Sequence, residues 1–412
     1  MTLEHNPAVP RTGPLAGIRV VDFTIIMSGP LCTRTLADGG ADVIKIEPPS
    51  GDTVRQRPPM RSGISTYFAS MNCGKRSVVL DLQTSEGKEI AQQLIERADV
   101  VVENFRPGVM KRLGLDYATM SLRNPRLVYC SISGFGQEGP MADAPAYAPV
   151  IHAASGYEHA YLQYQKAGDR PANNGVFIAD VLGAVQAASA IHLALFERER
   201  SGKGQNIDVA LLDSVLGMLV WEIQAAQFPS GRRRQVYEPV RASDGYVMVA
   251  AVTPKNLAVL FEVIDYPQGM KDPRFSTVAA KEENWSVLLE LIEQWTSQRP
   301  ALECEQKLMA AGVPCSRYRS VAQALDDPQM RQRGMLTRLG DKDESFLVAN
   351  PPFKFSRSEV TARIGLPGLG EHTREVLNEV LAVDKERLDR LAEAGVFGAA
   401  GKKQAVQAAS AQ

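Results

Sequence analysis

The sequence lacks most of the signatures that announce a mechanism. It contains no G-x-x-x-x-G-K-[S/T], no G-x-S-x-G and no H-E-x-x-H. Those absences exclude the phosphate-cradling P-loop, the nucleophile elbow and the helical zinc motif. Only five histidines occur (His5, His152, His159, His192, His372) and none has metal-ligand spacing, so no metal site is expected. The five cysteines (Cys32, Cys73, Cys130, Cys304, Cys315) are odd in number, scattered and without C-x-x-C. A disulfide framework is excluded, a reducing compartment is favoured, and a cytoplasmic location is expected. Neither charge is in excess: 46 Lys and Arg against 47 Asp and Glu leave −1, which argues against a nucleic-acid partner. No stretch reaches 18 uninterrupted apolar residues; even 180–196 carries Asp180, Gln186 and His192, so no membrane partner is expected. Residues 1–14 are polar, without a signal-peptide core, and are expected to be a disordered leader. What remains for chemistry is carboxylate and backbone.

A chain of 412 residues, 44% of them apolar, can hold two or three domains. Strand-like runs at 18–21, 42–47, 77–82, 100–102 and 127–133 alternate with helical ones at 31–38, 84–98 and 107–113. Strand, helix, strand at this spacing is a βαβ unit and implies a parallel sheet, so the first 135 residues predict an open, Rossmann-like α/β sheet. Ligands of such sheets lie beyond the strand C-termini. Gly134–Gly139 (G-F-G-Q-E-G) matches the dinucleotide fingerprint after a strand, but Pro140, Pro145 and Pro149 leave no helix for the last glycine to open. A dinucleotide site is therefore rejected. Residues 145–175 look irregular and tyrosine-rich. At 236 the character changes: 240–242 and 246–251 flank Ser243-Asp244-Gly245 as a hairpin, and helical runs follow at 255–264, 284–297 and 300–311. The expected division is a large domain from 15–228 with 331–398, and a small α+β domain with linkers over 229–330. Residues 399–412 read as a disordered tail.

The stretch from Gly175 to Gln205 organises the rest. A short apolar run (Val176, Phe177, Ile178) meets a lone carboxylate, Asp180. Some 20 residues of helix-forming sequence follow, closed by Arg198, Arg200 and then Gly202, the expected C-terminal signals. Asp180 thus stands at or beside a helix N-terminus, where orphan N–H groups favour an ionised carboxylate. It is either a helix cap or a nucleophile.

The order of ten short motifs decides between them. P-L-A-G-I-R-V-V-D-F-T at 14–24, G-A-D-V-I-K-I-E at 40–47, N-C-G-K-R-S at 72–77, A-D-V-V-V-E-N-F-R-P-G at 98–108 and S-G-F-G-Q-E-G-P at 133–140 come first. I-A-D at 178–180, S-G-K-G-Q at 201–205, D-G at 244–245, P-P-F-K-F-S at 351–356 and G-L-G-E-H-T at 368–373 complete the series. With these motifs the chain, from Leu15 to Leu381, resembles the class III (family III, CaiB/BaiF type) CoA-transferases, the group of formyl-CoA transferase, carnitine CoA-transferase and α-methylacyl-CoA racemase.

The resemblance implies that Asp180 is the nucleophile, forming an aspartyl–acyl anhydride and then an aspartyl–CoA thioester. Coenzyme A and acyl-CoA enter as substrates, with no permanent cofactor. It also implies CoA contacts at Lys75, Asn104, Phe105 and Arg112, and an interlocked homodimer. Gly134, Gly136, Gln137 and Gly139 are candidates for an oxyanion-binding loop, or else glycines that allow a turn. Met27, Tyr147 and His152 are candidates for the substrate pocket, and the 145–175 segment with Arg232–Arg234 for selecting a dicarboxylate.

Departures from formyl-CoA transferase argue against formyl/oxalate specificity. Met27 replaces a glutamine, Pro48 replaces an arginine, and a long glycine-rich loop is missing. Two other readings stand beside transfer. A racemase of the same family needs a His-Asp pair where this chain has Tyr147 and Ala148, and tyrosine, with a reference pKa near 10, is a poor base at neutral pH. A non-catalytic CoA-binding protein needs no nucleophile at all.

Overall fold

The computed structural model describes residues 12–165, 168–171, 175–229, 234–340 and 344–398. Most of the expected leader, the expected tail, and Arg232 and Arg233 lie outside them. Thr12 to Pro14, expected to be part of the leader, are instead packed: Leu15 N–H donates to Gly39 O, and a Cβ on Gly40 would lie 2.5 Å from Thr12 O. The chain forms two compact units, residues 1–224 with 333–412 and residues 225–332.

The large unit is built on six parallel strands: β1 (Arg19–Asp22), β2 (Asp42–Glu47), β3 (Arg76–Val79), β4 (Val100–Glu103), β5 (Val128–Ser133) and β6 (Asn206–Ala210). Their order across the sheet is β3-β2-β1-β4-β5-β6, the doubly wound arrangement whose order reverses between β1 and β4. The strands are near-continuous Val/Ile runs because helices cover both faces. One face packs α1 (Ser28–Asp38) and α8 (Ile178–Ser201) in a core that includes Val20, Leu36, Val102, Ala184 and Ile191. The other face packs α3 (Ser85–Glu96) and the C-terminal helices 373–381 and 385–393. α3 is capped by Thr84, whose hydroxyl accepts the Gly87 N–H at 3.0 Å.

Between these lie the shorter helices α2 (Thr66–Asn72), α4 (Val109–Leu113), α5 (Tyr117–Met120), α6 (Ala148–Ala154) and α7 (Tyr157–Leu162). The last two correct the irregular reading of 145–175. Pro149 falls in the first turn of α6, where proline is tolerated. Gly156, at φ +76°, separates the two helices. Residues 211–227 form two helices, broken at Leu219, two residues after Gly217.

By length and composition α8 is apolar enough to cross a membrane, but its buried face (Ala179, Gly183, Ala184, Ala187, Ala188, Ile191) lies on the sheet. It packs as a core helix. Gly202, at φ +70°, ends it with its N–H on Arg198 O, as the sequence led one to expect.

Residues 368–373 explain themselves as an edge cover. Thr373 Oγ1 accepts the Val79 N–H at 3.0 Å, His372 N–H donates to Ser77 O at 3.0 Å, and Gly370 N–H donates to Ser77 Oγ at 2.9 Å. The free edge of β3 is closed in this way.

The small unit holds a three-stranded antiparallel sheet, 315–317, 245–249 and 240–242, with the expected hairpin at Ser243–Gly245. Its core is formed with helices 254–263, 285–296 and 301–310. Strand 315–317 and helix 278–283 had no clear sequence signal.

Candidate active site

Two loops meet where the strand order reverses, after β1 and after β4. The Asn104 amide joins them: its Oδ1 accepts the Ile25 N–H at 2.8 Å and its Nδ2 donates to Ile25 O at 2.9 Å. Asp52, buried, takes the Ile26 N–H at 3.3 Å and the Val54 N–H at 3.1 Å, and pairs with Lys45 at 3.2 Å. Lys45 in turn donates to Thr24 O at 2.7 Å. These bonds hold Ile26 at φ +68°, a conformation costly for a β-branched residue and sustained only by surrounding structure. A Cβ on Gly29 would lie 2.3 Å from the Thr24 side chain, so only glycine lets α1 begin this close to the loop. Helix α1 therefore starts at Ser28, three residues earlier than the sequence indicated, with Met27 as its N-cap.

Ser28 is what Asp180 faces. Asp180 is the third residue of α8, within its first turn, while Phe177 occupies the cap position and makes no side-chain cap bond. Asp180 is therefore not the helix cap. Burial raises its pKa to about 6, opposed by the Ser28 hydroxyl and N–H, which face the carboxylate as donors. The carboxyl thus stands between two helix N-termini, its own and that of α1, both of which favour the anion, in surroundings dry enough to keep it reactive.

Tyr67, on α2, completes the surroundings. Like Ile26 and Met27, it packs against the small core of Val54, Phe68 and Met71, and burial, together with the negative charge of Asp180, raises its pKa. Arg57 lies on the same side. The Ser65 hydroxyl donates to Arg57 O at 2.5 Å, and the guanidinium charge is felt at the Tyr67 phenol. Its side chain is exposed and has no ion pair among the described residues.

The other candidates divide. Arg112 ends α4 exposed and without an ion pair among the described residues, open to an anion. Phe105 is half-buried against the second core, beside it. Each amide atom of Asn104 makes one bond to Ile25, which leaves one N–H and one oxygen lone pair on this half-buried side chain for a ligand. Lys75 is a correction. Its ammonium is fully buried and donates to Asp22 Oδ2 (3.0 Å), Pro30 O (3.0 Å), Thr33 Oγ1 (2.7 Å) and Asn72 Oδ1 (2.8 Å). Four acceptors leave no donor for a phosphate. Burial pushes Lys75 down to about 8 against the pull of Asp22. For Asp22 burial works upward, but Lys75, Lys45, Thr24 and Thr33 together hold it below the ordinary value.

One backbone donor of the glycine-rich loop is also engaged. Gln137 N–H donates to Asp208 Oδ2 at 2.8 Å, Gly136 and Gly139 sit at φ +90° and +93°, and a Cβ on Gly134 would meet that of Ala146 at 2.4 Å. These glycines serve turns and close packing, and the next helix, α6, begins only at Ala148. Nearby, burial pushes Glu103 up to about 7, opposed by Ser131 and the Phe105 N–H and reinforced by Asp208. Tyr147 caps α6 and is largely exposed. His152 does not line an open pocket. Its ring is buried, and its Nε2 accepts the Ala179 N–H at 3.1 Å.

Sequence reasoning missed Ser28, Asp52, Arg57 and Tyr67. Ser28 alone carried a signal, since in a doubly wound sheet the helix after β1 opens onto the ligand crevice. No group of three or more potential metal ligands occurs among the described residues.

Known proteins resemble the chain over most of its length. The profile described as CoA-transferase family III matches residues 15–373. An acetyl-CoA:oxalate CoA-transferase of Acetobacter aceti is 36% identical over 392 residues, spanning 92% of this chain and 98% of that protein. A succinate–glutarate CoA-transferase of Agrobacterium fabrum is 33% identical over 398 residues, spanning 91% and 98%. Among solved structures, a CaiB/BaiF family protein from Brucella suis superposes with a TM-score of 0.77 at 34% identity, covering 90% of this chain and all of that one.

Proposed function

Because the chain belongs to CoA-transferase family III, we propose that Asp180 carries the exchange covalently and that the acceptor is a dicarboxylic acid. An Asp180 oxygen attacks the donor thioester carbonyl, the C–S bond breaks, and CoA leaves as thiolate from an aspartyl–acyl anhydride. The thiolate attacks the aspartyl carbonyl, releasing the donor acid as its carboxylate and leaving an aspartyl–CoA thioester. The acceptor carboxylate attacks that thioester, and the thiolate then attacks the acceptor's acyl carbon, restoring Asp180. No water or net proton is consumed. The observation that carries this reading is the placement of the Asp180 carboxyl, half-buried and facing Ser28 at the crevice. The Ser28 N–H and hydroxyl are the donors best placed to receive the oxyanion formed at each attack.

The raised pKa sets a pH dependence. Below about 6 the Asp180 carboxyl holds its proton and cannot attack. kcat/KM is expected to approach a tenfold fall per pH unit below 6 and to level off about one unit above it. A profile that stays level down to pH 4 contradicts the assignment.

Arg57 supports a dicarboxylate acceptor: an exposed cation close to Tyr67, which is itself close to Asp180, suits the second carboxylate of an acid whose first one reacts. Relatives named for oxalate and glutarate fit the same chemistry. The test is a panel of acceptors that includes oxalate, succinate and glutarate beside butyrate. Arg57→Gln is expected to lower kcat/KM for the dicarboxylates about 10- to 150-fold, in keeping with 1.5–3 kcal/mol for a charged hydrogen bond. Butyrate should be unaffected, and equal losses for both classes sink the dicarboxylate reading.

A second copy of the chain fits the exposed apolar side of α8 (Val185, Leu193, Phe196). A dimer is expected by sedimentation at micromolar protein, and a monomer there contradicts it. The five free cysteines are all buried, in keeping with a reducing compartment.

A further inference from the structure

Resting on the assignment of Asp180 as nucleophile, we propose that His152 is a positioning residue that aims it. The first turn of α8 needs an acceptor for its exposed N–H groups, and Phe177 at the cap position has no side-chain oxygen to offer. Ile178 N–H turns back to Val176 O at 2.9 Å. Ala179 N–H, adjacent to Asp180, is taken by His152 Nε2 at 3.1 Å. The acceptor therefore comes from a different helix: His152 lies in the last turn of α6, buried, with its ring edge-on to Tyr157 at 5.6 Å. The cap is thus a long-range tie between two helices rather than a local turn.

The tie dictates a protonation state. A ring nitrogen that accepts an N–H carries no proton, so the hydrogen of neutral His152 sits on Nδ1. Glu158 Oε1 stands 3.7 Å from that Nδ1, on the first turn of α7, and favours the same tautomer. Burial keeps the ring from charging, against the pull of Glu158. Imidazole is the acceptor here, so its part in the reaction is to hold the Ile178–Ala179 peptide unit, one residue before Asp180. Small displacements of a nucleophile cost rate more than binding. Removing the tie should therefore lower kcat and leave KM for the acyl-CoA alone.

Three variants test this. His152→Leu fills the space without an acceptor and is expected to lower kcat 30- to 100-fold with KM for acyl-CoA within twofold. In His152→Gln the amide oxygen reaches the position of Nε2, and kcat within about threefold of the parent is expected. Asp180→Ala is the control for the underlying assignment: if it still transfers CoA, the nucleophile is elsewhere and that reading fails by itself. With Asp180→Ala inactive, the positioning role is overturned if His152→Leu keeps its kcat or if its KM rises in step with the loss. It is equally overturned if His152→Gln loses kcat tenfold or more at an unchanged melting temperature, because the acceptor would then not be what matters. Should His152→Leu fail to fold, the glutamine variant decides alone by the same criteria.

Discussion

Asp180→Ala is expected to lower CoA transfer by about 10⁴-fold or more, the scale seen when a covalent nucleophile is removed, while the protein folds as before. The second half of that expectation comes from the environment of the residue. Asp180 is half-buried at the third position of α8, it pairs with no cation among the described residues, and it is not the cap that starts the helix. Its loss removes a favourable interaction with the helix dipole, about 0.3–1 kcal/mol, and relieves the burial that pushes its pKa to about 6. The two nearly offset, so the melting temperature should move little. Binding of CoA should persist, because the candidate contacts Phe105 and Arg112 belong to the other loop of the crevice. Steady-state kinetics, thermal melting and CoA titration on one preparation check all three. Residual transfer above about one per cent would mean that another group forms the covalent bond. A racemase would instead keep α-proton exchange in the variant, although Tyr147 is exposed and Ala148 has no acid–base group.

Lys75→Met is expected to behave in the opposite way, as a loss of stability of about 3–5 kcal/mol. The substitution leaves Asp22 buried without its partner, and Asp22 is fixed at the end of β1 by Thr24 Oγ1 (2.5 Å) and Thr33 Oγ1 (2.7 Å). Lys75 also ties α2 to α1 through Asn72 and Pro30. Chemical denaturation should show the midpoint falling with the slope unchanged. A direct role on a CoA phosphate makes a different forecast: normal stability and a raised KM for CoA. Arg112, exposed at the end of α4, is where that second pattern should be found. If Lys75→Met is as stable as the parent, the internal ion pair carries no weight and the phosphate role returns.

Lys75 also shows how far the sequence could be read. The alternation of strands and helices was visible because both faces of the parallel sheet are covered, which makes its strands near-continuous apolar runs. β2 falls on the residues expected of it. Asp180 stood out as the lone carboxylate of an apolar stretch beside a helix start, but there a cap and a nucleophile look alike, and only the order of the motifs favoured the nucleophile. What the sequence did not show is which motif residues face inward. N-C-G-K-R-S looks like a binding loop, yet Lys75 points into the fold, Gly74 takes φ +80° to reach Gly365 O, and Arg76 pairs with Asp42 at 2.5 Å. G-L-G-E-H-T closes a sheet edge. Tyr67 and Arg57 reach the crevice from α2 and the loop before it, far along the chain from Asp180, and only tertiary packing brings them there. α1 begins earlier than expected because Gly29 permits a close approach to Thr24.

The most direct test of the covalent route is mass spectrometry of the protein after incubation with acetyl-, formyl- or succinyl-CoA, with and without hydroxylamine. The expected result is a CoA thioester on the peptide that carries Asp180, converted by hydroxylamine to a hydroxamate at that residue and absent from Asp180→Ala. An adduct on a different residue, or rapid transfer with every donor and no adduct at all, would contradict it.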